Sequence, residues 1–203
     1  MMAAALADIS AADASRSAEG QGRADGLSLE ALVPVIETER LILRAPRVSD
    51  FELMAEFYAT ERSVFVGGPK DRQESWRYVL MGMGHWLARG YGYWSVDERA
   101  SGRMVGRVGV HFHAVDWPEP ELGWHLFAGF EGRGLMTEAA RAARAASARH
   151  FGLGPLISLI APENARSQAV AQRLGAVFES RHMMMGKMTE VWRHPACGQE
   201  GEA

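Results

Sequence analysis

The amino-acid sequence predicts a single domain of the α/β class, in which strands and helices share one core. Helix-like and strand-like segments alternate through residues 35–195 without an internal repeat or an interdomain linker. The polar turn at residues 97–102 lies between two strand-like runs and therefore predicts an antiparallel hairpin. A continuous apolar run at residues 156–161 is typical of a buried strand.

The composition narrows the classes of function. Of the 203 residues, 47% are apolar and 23% are charged, and the net charge of −3 offers no basic field for nucleic acid. No apolar run approaches the roughly 20 residues that a membrane span needs, so neither nucleic acid nor membrane is expected as a partner. Cys197 is the one cysteine, which excludes a disulfide within the chain and predicts a reducing, cytoplasmic location.

The two ends of the chain differ from its middle. Residues 1–33 are rich in Ala, Ser, Gly and Asp and lack the pattern of a signal peptide, so we expect a disordered N-terminal tail there. Residues 34–195 form the predicted domain, and residues 196–203 are expected to be a frayed C-terminal tail.

The predicted elements follow one another closely along the domain. Apolar spacing on the second helix predicts a buried stripe of Trp76, Leu80, Met83 and Leu87. The elements are a strand at 35–46, a helix at about 51–60 begun by the capping-box pattern at 49–52, a helix at about 72–88, strands at 93–96, 104–112 and 121–128, a helix at about 134–151, a strand at 156–161, a helix from Asn164, and strands at 176–180 and 184–193.

A glycine turn at Gly132-Arg133-Gly134 separates a strand from an alanine-rich helix. Helix N-termini bind anions through free backbone N–H groups, glycines allow a pyrophosphate to approach, and Arg133 and Thr137 could add side-chain donors. The alternative is a plain turn that starts a helix. A P-loop is not matched because no G-K-[ST] follows, and Thr137 stands where a dinucleotide fold has its third glycine.

The alanines between positions 139 and 148 help to decide whether the turn is an anion site or a plain helix start. Small residues let a helix lie close to a sheet, which would place its N-terminus directly above a strand end. The alternative explanation is that alanine simply favours helix formation.

Two motifs together resemble a known family. The run E-G-R-G-L-M-T-E-A from Glu131 resembles the acyl-CoA-binding motif of the GNAT superfamily of N-acetyltransferases, Q/R-x-x-G-x-G/A followed by a helix. About 30 residues later, A-P-E-N-A-R-S from Ala161, with L-G-A from Leu174, resembles the family's next strand and helix. The run E-R-L-I-L-R from Glu39, with Asp50, resembles the branch that contains the ribosomal-protein-alanine N-acetyltransferases, and the resemblance covers about residues 36–195.

The resemblance implies a fold and a cofactor site. The fold would be a mixed, mostly antiparallel sheet with helices on both faces, whose fourth strand (121–128) splays from the fifth (156–161) around acetyl-CoA as co-substrate. Pantetheine would bond along Leu126 and Phe127 like an added strand. The pyrophosphate would lie on the turn, Asn164 would reach the pantetheine and Arg166 the adenosine phosphates. The implied cofactor contacts are therefore Leu126, Phe127, Gly132, Arg133, Gly134, Leu135, Met136, Thr137, Asn164 and Arg166, and no metal is implied.

The sequence departs from the family pattern at two positions. Gly129 stands where Gln or Arg is usual, which removes a side-chain contact but leaves the backbone contacts. Ala171 stands where many members have a tyrosine as general acid, which excludes tyrosine chemistry there.

Acetyl transfer to an amine needs a general base and a donor for the developing oxyanion. Glu121, at the start of the fourth strand, is the first candidate for the base, and a backbone N–H in a bulged fourth strand could bind the oxyanion. Ser167 is the candidate donor to the thiolate, and a helix-turn residue bonded to backbone is its alternative. His113 or His125 is a lesser option for the base. His111 and His113 are two residues apart on a strand and therefore share a face. A metal site there would need a third ligand, and the sequence offers none that can be named.

These observations predict direct transfer of an acetyl group from acetyl-CoA to a primary amine, on a protein N-terminus or a small molecule. A catalytically inactive acyl-CoA-binding protein of the same fold is the alternative, motivated by Gly129 and Ala171, and a nucleotide-binding regulator is more remote. Exposed edges of the late strands could pair across a homodimer.

Overall fold

The computed structural model describes residues 28–112, 117–184 and 186–197. Strands within these residues form one sheet in the order β1-β2-β3-β4-β5-β6-β8-β7, and only β5 and β6 pair in parallel. The strands are β1 (Ile36–Glu37), β2 (Leu41–Arg44), β3 (Tyr93–Glu98), β4 (Met104–His111), β5 (Glu121–Leu126), β6 (Ile157–Ile160), β7 (Val177–Met184) and β8 (Lys187–Arg193). The helices are α1 (Leu29–Leu32), α2 (Phe51–Tyr58), α3 (Arg72–Arg89), α4 (Leu135–Phe151) and α5 (Ala165–Arg173), with short 3-10 turns at Val48–Asp50 and Glu61–Val66.

The segment predicted as one strand at 35–46 is instead the hairpin β1–β2. The Thr38 N–H donates to the Leu41 carbonyl at 2.9 Å, and the Leu41 N–H donates to Thr38 Oγ1 at 3.0 Å. Because the threonine hydroxyl closes this turn locally, the chain reverses between two short strands. The prediction of β structure in this segment was therefore right, but the segment forms two strands instead of one.

The predicted N-terminal tail overlaps the fold at its end. Residues 29–32 form α1, and Val33 is only 3% exposed within the main core. The prediction of a tail to residue 33 is therefore too long by these residues, because Val33 is an apolar side chain that the core buries. Residues 1–27 and 198–203, which make up most of the two predicted tails, lie outside the described residues.

The two faces of the sheet are covered by different helices. Phe151 of α4 stacks on Trp94 of β3 at 6.1 Å, whereas Asp50, just before α2, accepts a hydrogen bond from the adjacent Ser95. Successive strand residues point to opposite faces, so α4 lies on one face and α2 and α3 on the other. The alanines of α4 that face the sheet are fully buried, as the close approach of a small-residue helix predicts, namely Ala139, Ala140 and Ala143.

Helix α3 buries a different stripe from the predicted one. Leu80 and Leu87 are 44% and 60% exposed, and Trp76 and Met83 are half-buried. The buried positions are Ser75, Val79, Gly82 and Trp86. The prediction failed because it assumed an apolar surface beneath the helix, whereas this face of the sheet carries polar side chains that small residues of α3 accommodate.

Strands β5 and β6 separate after one point of contact, as the resemblance implies. Their register contains the pair Glu121↔Ile157 alone. The Ser158 hydroxyl donates to the Leu122 carbonyl at 2.6 Å and joins the strands once more beside that pair. Beyond this closed end the described parts of β5 and β6 form no further pair, which leaves a gap that opens toward the carboxyl ends of both strands, and these ends lead into the glycine turn and the N-terminus of α5.

Candidate active site

The glycine turn forms an exposed rim at the open end of the gap, where Gly132 and Gly134 carry no Cβ. Gly132 and Gly134 both have φ 75°, in the left-handed region that favours glycine, and Gly134 is the N-cap residue of α4. A Cβ built on Gly132 would meet no atom within 4 Å, so this backbone is open to a ligand. Leu135 and Met136 bury their side chains, 1% and 6% exposed, and present backbone N–H groups at the first turn. Thr137 is half-buried behind them.

The β1–β2 hairpin holds this turn in place. Arg40 Nη1 donates to the Arg133 carbonyl at 2.8 Å, and Arg40 Nε donates to Glu138 in the first turn of α4 at 2.7 Å. Thr38 Oγ1 donates to the same carboxylate at 2.6 Å. Arg40 therefore places a guanidinium beside the turn, and its Nη2 lies 3.6 Å from the position of a Cβ on Gly134.

The side chain of Arg133 points away from the predicted role. It forms an ion pair with Glu98 at the end of β3, and Glu98 also accepts from the Ser101 hydroxyl. In the described structure, Arg133 therefore ties the turn to the β3–β4 hairpin. Sequence reasoning missed Arg40, because it lies far along the chain and reaches the turn only through the fold.

The backbone of β5 offers hydrogen-bonding groups to the gap at alternate residues. The Leu122 carbonyl accepts from Ser158 of β6, and the Leu126 carbonyl accepts from Arg62 Nη2 at 3.2 Å. Since strand N–H and C=O groups alternate in direction, Trp124 between them faces the gap as well.

Phe127 does not meet its predicted role. Its N–H donates to the Val105 carbonyl of the neighbouring segment at 2.8 Å, so this backbone group bonds away from the gap. Its side chain is 8% exposed and packs against Phe57 at 5.7 Å. The prediction chose two consecutive residues, whereas a strand presents alternate ones to one side, and the backbone groups of Trp124 point in the same direction as those of Leu126.

Arg62 lies beside the open end of the gap. Besides its bond to the Leu126 carbonyl, it forms an ion pair with Glu131 of the glycine turn. Glu131 in turn accepts from the Gly129 N–H at 2.7 Å. Gly129, where the family has Gln or Arg, is thus part of a turn braced by a carboxylate.

Helix α5 begins beside the same open end. Asn164 is its N-cap residue and accepts from the Ser167 N–H at 3.2 Å, which is the cap that its position predicts. Arg166 is exposed in the first turn. The structure therefore places Asn164, Arg166 and Ser167 together at the start of α5, which follows the carboxyl end of β6.

Glu121 lies at the opposite, closed end of the gap. Its side chain is half-buried, and burial raises the pKa of its carboxyl to about 7, while the Leu159 N–H and the Trp117 side chain partly oppose this rise. Strand β5 separates it from the open end by about 17 Å along the backbone. Its carboxyl nevertheless extends along β6 as far as the Leu159 N–H, and Ser167, the other predicted catalytic residue, lies in the first turn of α5 beyond the end of β6.

The histidines differ in their surroundings. His111 lies directly opposite Glu121 on β4 and stacks on His85 at 4.1 Å. Burial, with the charge of Arg107, lowers the pKa of His125 to about 3, which makes it a poor base near neutral pH. His113 lies outside the described residues. Within the described part of the chain, no three His, Cys, Asp or Glu side chains are grouped to hold a metal.

Ala171, at the family's tyrosine position, is fully buried in a small cluster with Ile160 and Trp192, against which Trp124 packs. Tyrosine chemistry is absent from this position. The strand ladder between β4 and β5 also runs in regular register, so the predicted bulge is not present within the described strand.

A cleft of about 470 Å³ borders the strand end, lined in part by Asp50, Phe57, Arg62, Arg103, Phe127 and Phe130. Its wall combines aromatic rings with charged groups, as ligand clefts commonly do.

The splayed parallel pair and the glycine turn at a helix N-terminus are the two structural features that the resemblance to acetyltransferases implies. A family model described as "Acetyltransferase (GNAT) domain" matches residues 40–177, and the chain belongs to this family. Within the described residues, no helix is both long and apolar enough to span a membrane.

Solved structures agree with this assignment. An acetyltransferase from Agrobacterium tumefaciens is 34% identical with a TM-score of 0.74, over 86% of this chain and 99% of that one. The ribosomal L7/L12 alpha-N-protein acetyltransferase RimL in complex with coenzyme A shares 17% identity and a TM-score of 0.67, over 80% of this chain and 98% of that one. A ribosomal-protein-S5-alanine acetyltransferase from Vibrio fischeri shares 16% sequence identity and a TM-score of 0.62, over 83% of this chain and 100% of that one. The latter two show likeness of fold.

Proposed function

We propose that this protein is an acetyl-CoA-dependent N-acetyltransferase that moves an acetyl group directly to a primary amine. The observation that carries the proposal is a carboxyl with a pKa of about 7, Glu121, at the closed end of a gap whose open end carries an exposed glycine turn. A base whose pKa lies near the working pH is what deprotonation of an ammonium requires.

The residues at the open end suit the phosphates and the pantetheine arm. Backbone N–H groups from Gly132 to Thr137, including those of Gly134, Leu135 and Met136, would hold the pyrophosphate at the positive end of α4. Arg40 and the exposed Arg166 would add positive charge there. Arg133 contributes its backbone, because its side chain pairs with Glu98.

The gap itself suits an extended, amide-containing chain. Leu126 and Trp124 face it with backbone groups, and Asn164 stands at its mouth. Arg62 bonds to the Leu126 carbonyl in this structure, so its side chain must move if pantetheine is to use that acceptor.

Bound acetyl-CoA would supply an activated thioester carbonyl and a thiolate leaving group. Glu121 would accept a proton from the ammonium, directly or through water, and so free the nitrogen lone pair. The N–C bond forms as the C–S bond breaks, and the nitrogen then loses a second proton to become the amide. The proton held on Glu121 can pass to the thiolate, and the second proton leaves to solvent, so that Glu121 is a carboxylate again at the end of the cycle. Ser167 lies at the open end, where it could position the cofactor, and a role at the sulfur would need it to approach the closed end.

The experiment is calorimetry with acetyl-CoA on the wild type, Gly134→Ala and Gly152→Ala. Gly152 caps the other end of α4 with φ 66°, so both variants carry a similar backbone strain. We expect binding by the wild type and by Gly152→Ala, and at least tenfold weaker binding by Gly134→Ala. Absence of binding by the folded wild type would remove the proposal.

The alternative is an acyl-CoA-binding protein without catalysis, favoured by the buried Ala171 where a tyrosine acid is common. It predicts acetyl-CoA binding with no release of coenzyme A in the presence of any amine. Turnover that is abolished in Glu121→Gln, with binding retained, would exclude it.

The proposal places the enzyme in the cytoplasm as a homodimer. Its thiol Cys197 is exposed, which suits a reducing compartment. Strand β7 lies at the edge of the sheet with Val177, Phe178 and Met183 exposed, and pairing of two such edges would cover them. Sedimentation of the purified protein measures the oligomeric state.

A further inference from the structure

Arg107 of β4 is a buried cation without a matching anion. The residue is 6% exposed, and its Nε and Nη2 have no hydrogen-bond partner among the described residues. Arginine does not lose its proton in proteins, and burying a charge without a partner is strongly unfavourable. The half-buried Arg44, by contrast, binds both Asp50 and Asp97. Asp50, which also accepts from Ser95, the cross-strand neighbour of Arg107, is therefore already paired.

The described groups that contact Arg107 are neutral. Its guanidinium lies over the ring of Tyr93, 5.3 Å from the centroid, and its cross-strand neighbour is His125, whose low pKa keeps the imidazole neutral. Helix α3 covers it with Gly82, where a Cβ would lie 2.5 Å from Nη2. The glycine thus leaves room for a guanidinium whose electrostatic requirement the chain does not meet.

Arg107 shares a face of the sheet with the proposed base. Ser95, Arg107 and His125 form one cross-strand row, and His111 and Glu121 form another on the same face. Tyr93 lies between the two rows, and its hydroxyl stands over Gly123, 2.0 Å from the position of a Cβ there. The charge of Glu121 raises the pKa of Tyr93 in addition to burial, and that of Arg107 opposes it, so this hydroxyl lies close to both groups.

We propose that Arg107 binds the carboxylate of the acceptor, and that the acceptor is a small amine that carries a carboxylate on the same molecule. This inference rests on the proposed function. The amine would lie toward Glu121 and the carboxylate toward Arg107, with the Tyr93 hydroxyl between them. A planar guanidinium matches a carboxylate with two parallel hydrogen bonds. The burial of Arg107 beneath α3 favours a small molecule over a protein N-terminus.

The test is an acceptor panel of the common amino acids, each as the free acid and as its carboxamide, with release of coenzyme A as the readout. Wild type, Arg107→Met, Arg107→Lys and Arg149→Met are compared, and acetyl-CoA binding is measured for each by calorimetry. Arg149 is an exposed arginine in the last turn of α4 and controls for loss of one positive charge.

We expect the wild type and Arg149→Met to prefer free acids over carboxamides. The expected loss of kcat/KM for acids in Arg107→Met is on the order of 10- to 100-fold, as for one charge-assisted hydrogen-bond pair. Carboxamides should be unaffected, and Arg107→Lys should recover part of the activity on acids. Methionine fills the buried site without a charge, so this variant should fold and should bind acetyl-CoA like the wild type.

Three outcomes would overturn the inference while the proposed function stands. They are equal use of acids and carboxamides, an acid preference that survives in Arg107→Met, and acetylation of carboxamides with no acid acetylated. Binding of acetyl-CoA without acetylation of any amine would overturn both proposals in favour of a binding protein. A folded wild type that does not bind acetyl-CoA would refute the proposed function itself, so the two failures are separable.

Discussion

Replacing Glu121 with glutamine should stabilise the protein at alkaline pH, because glutamine imitates the protonated carboxyl that the fold prefers. The structure raises the pKa of this carboxyl from its ordinary value of 4.5 to about 7. The folded state therefore holds the proton more tightly than the unfolded chain. The stability that this provides is fully present below pH 4.5 and is lost as the pH rises to about 7.

A pKa rise of this size corresponds to about 3 kcal/mol of lost stability once the carboxyl is ionised in the folded protein. Because the side chain is half-buried, solvent reduces the value, and we expect about 2 kcal/mol between pH 5 and pH 8. Urea denaturation of the wild type and of Glu121→Gln at several pH values measures the difference at each pH. The free energies of unfolding should lie close together at pH 5 and separate in favour of the variant by pH 8.

The control is Glu61→Gln, which removes one negative charge from an exposed position in the 3-10 turn before α3. If the wild-type and Glu121→Gln curves stay parallel from pH 5 to pH 8, the carboxyl is not protonated in the folded protein near pH 7. The argument for Glu121 as a base poised near neutral pH would then be wrong, whatever the acceptor.

Three further predictions concern catalysis, packing and capping. The wild-type kcat/KM should rise with pH to a midpoint near 7, since the base must be deprotonated, and Glu121→Gln should lower it by roughly 10²- to 10⁴-fold and remove that step. Gly84→Ala, with no atom within 4 Å of its Cβ, should stabilise α3 by about 0.5–1 kcal/mol, whereas Gly82→Ala should destabilise it against Arg107, as thermal denaturation would show. Asn164→Ala should cost about 1 kcal/mol in urea denaturation, and Asn164→Asp should keep the cap, so equal losses would contradict the capping role.

The features that the sequence predicted well are local ones. The sequence predicted a glycine turn before a helix at Gly132 and Gly134 and a helix start at Asn164, and the structure contains both, because each depends only on local backbone geometry. The order of strands and helices follows from hydrophobic periodicity in the same way. The glycine turn could thus be interpreted as an anion site before its surroundings were known.

The features that the sequence could not supply depend on register between distant segments. Phe127 was predicted as a pantetheine contact because the direction of a strand N–H follows from pairing with β4, which the sequence alone does not show. Arg40 and Arg62 reach the turn only after the hairpin and the 3-10 segment have folded against it. In the sequence Arg107 cannot be distinguished from an exposed strand arginine, because its burial depends on strand pairing and on the position of α3.

The buried stripe of α3 was misplaced for a related reason. Hydrophobic spacing locates a helix face correctly when the partner surface is apolar. Here the partner surface carries Arg107 and His125, so the helix turns Gly82 toward it and leaves Leu80 and Leu87 exposed.

The sheet consists of two sub-sheets, β1–β5 and β6-β8-β7. In the register of β5 and β6, the pair Glu121↔Ile157 is the single one that joins them. A ligand whose amides occupied the gap would form hydrogen bonds with both strands in place of the missing β5–β6 pairs. It would thereby couple the two sub-sheets into one cooperative unit. Amide hydrogens of β6 and β8 should then exchange more slowly when acetyl-CoA is bound, even though they lie on strands that contact it only in part. In this fold the co-substrate would be a structural member of the sheet as well as a reactant.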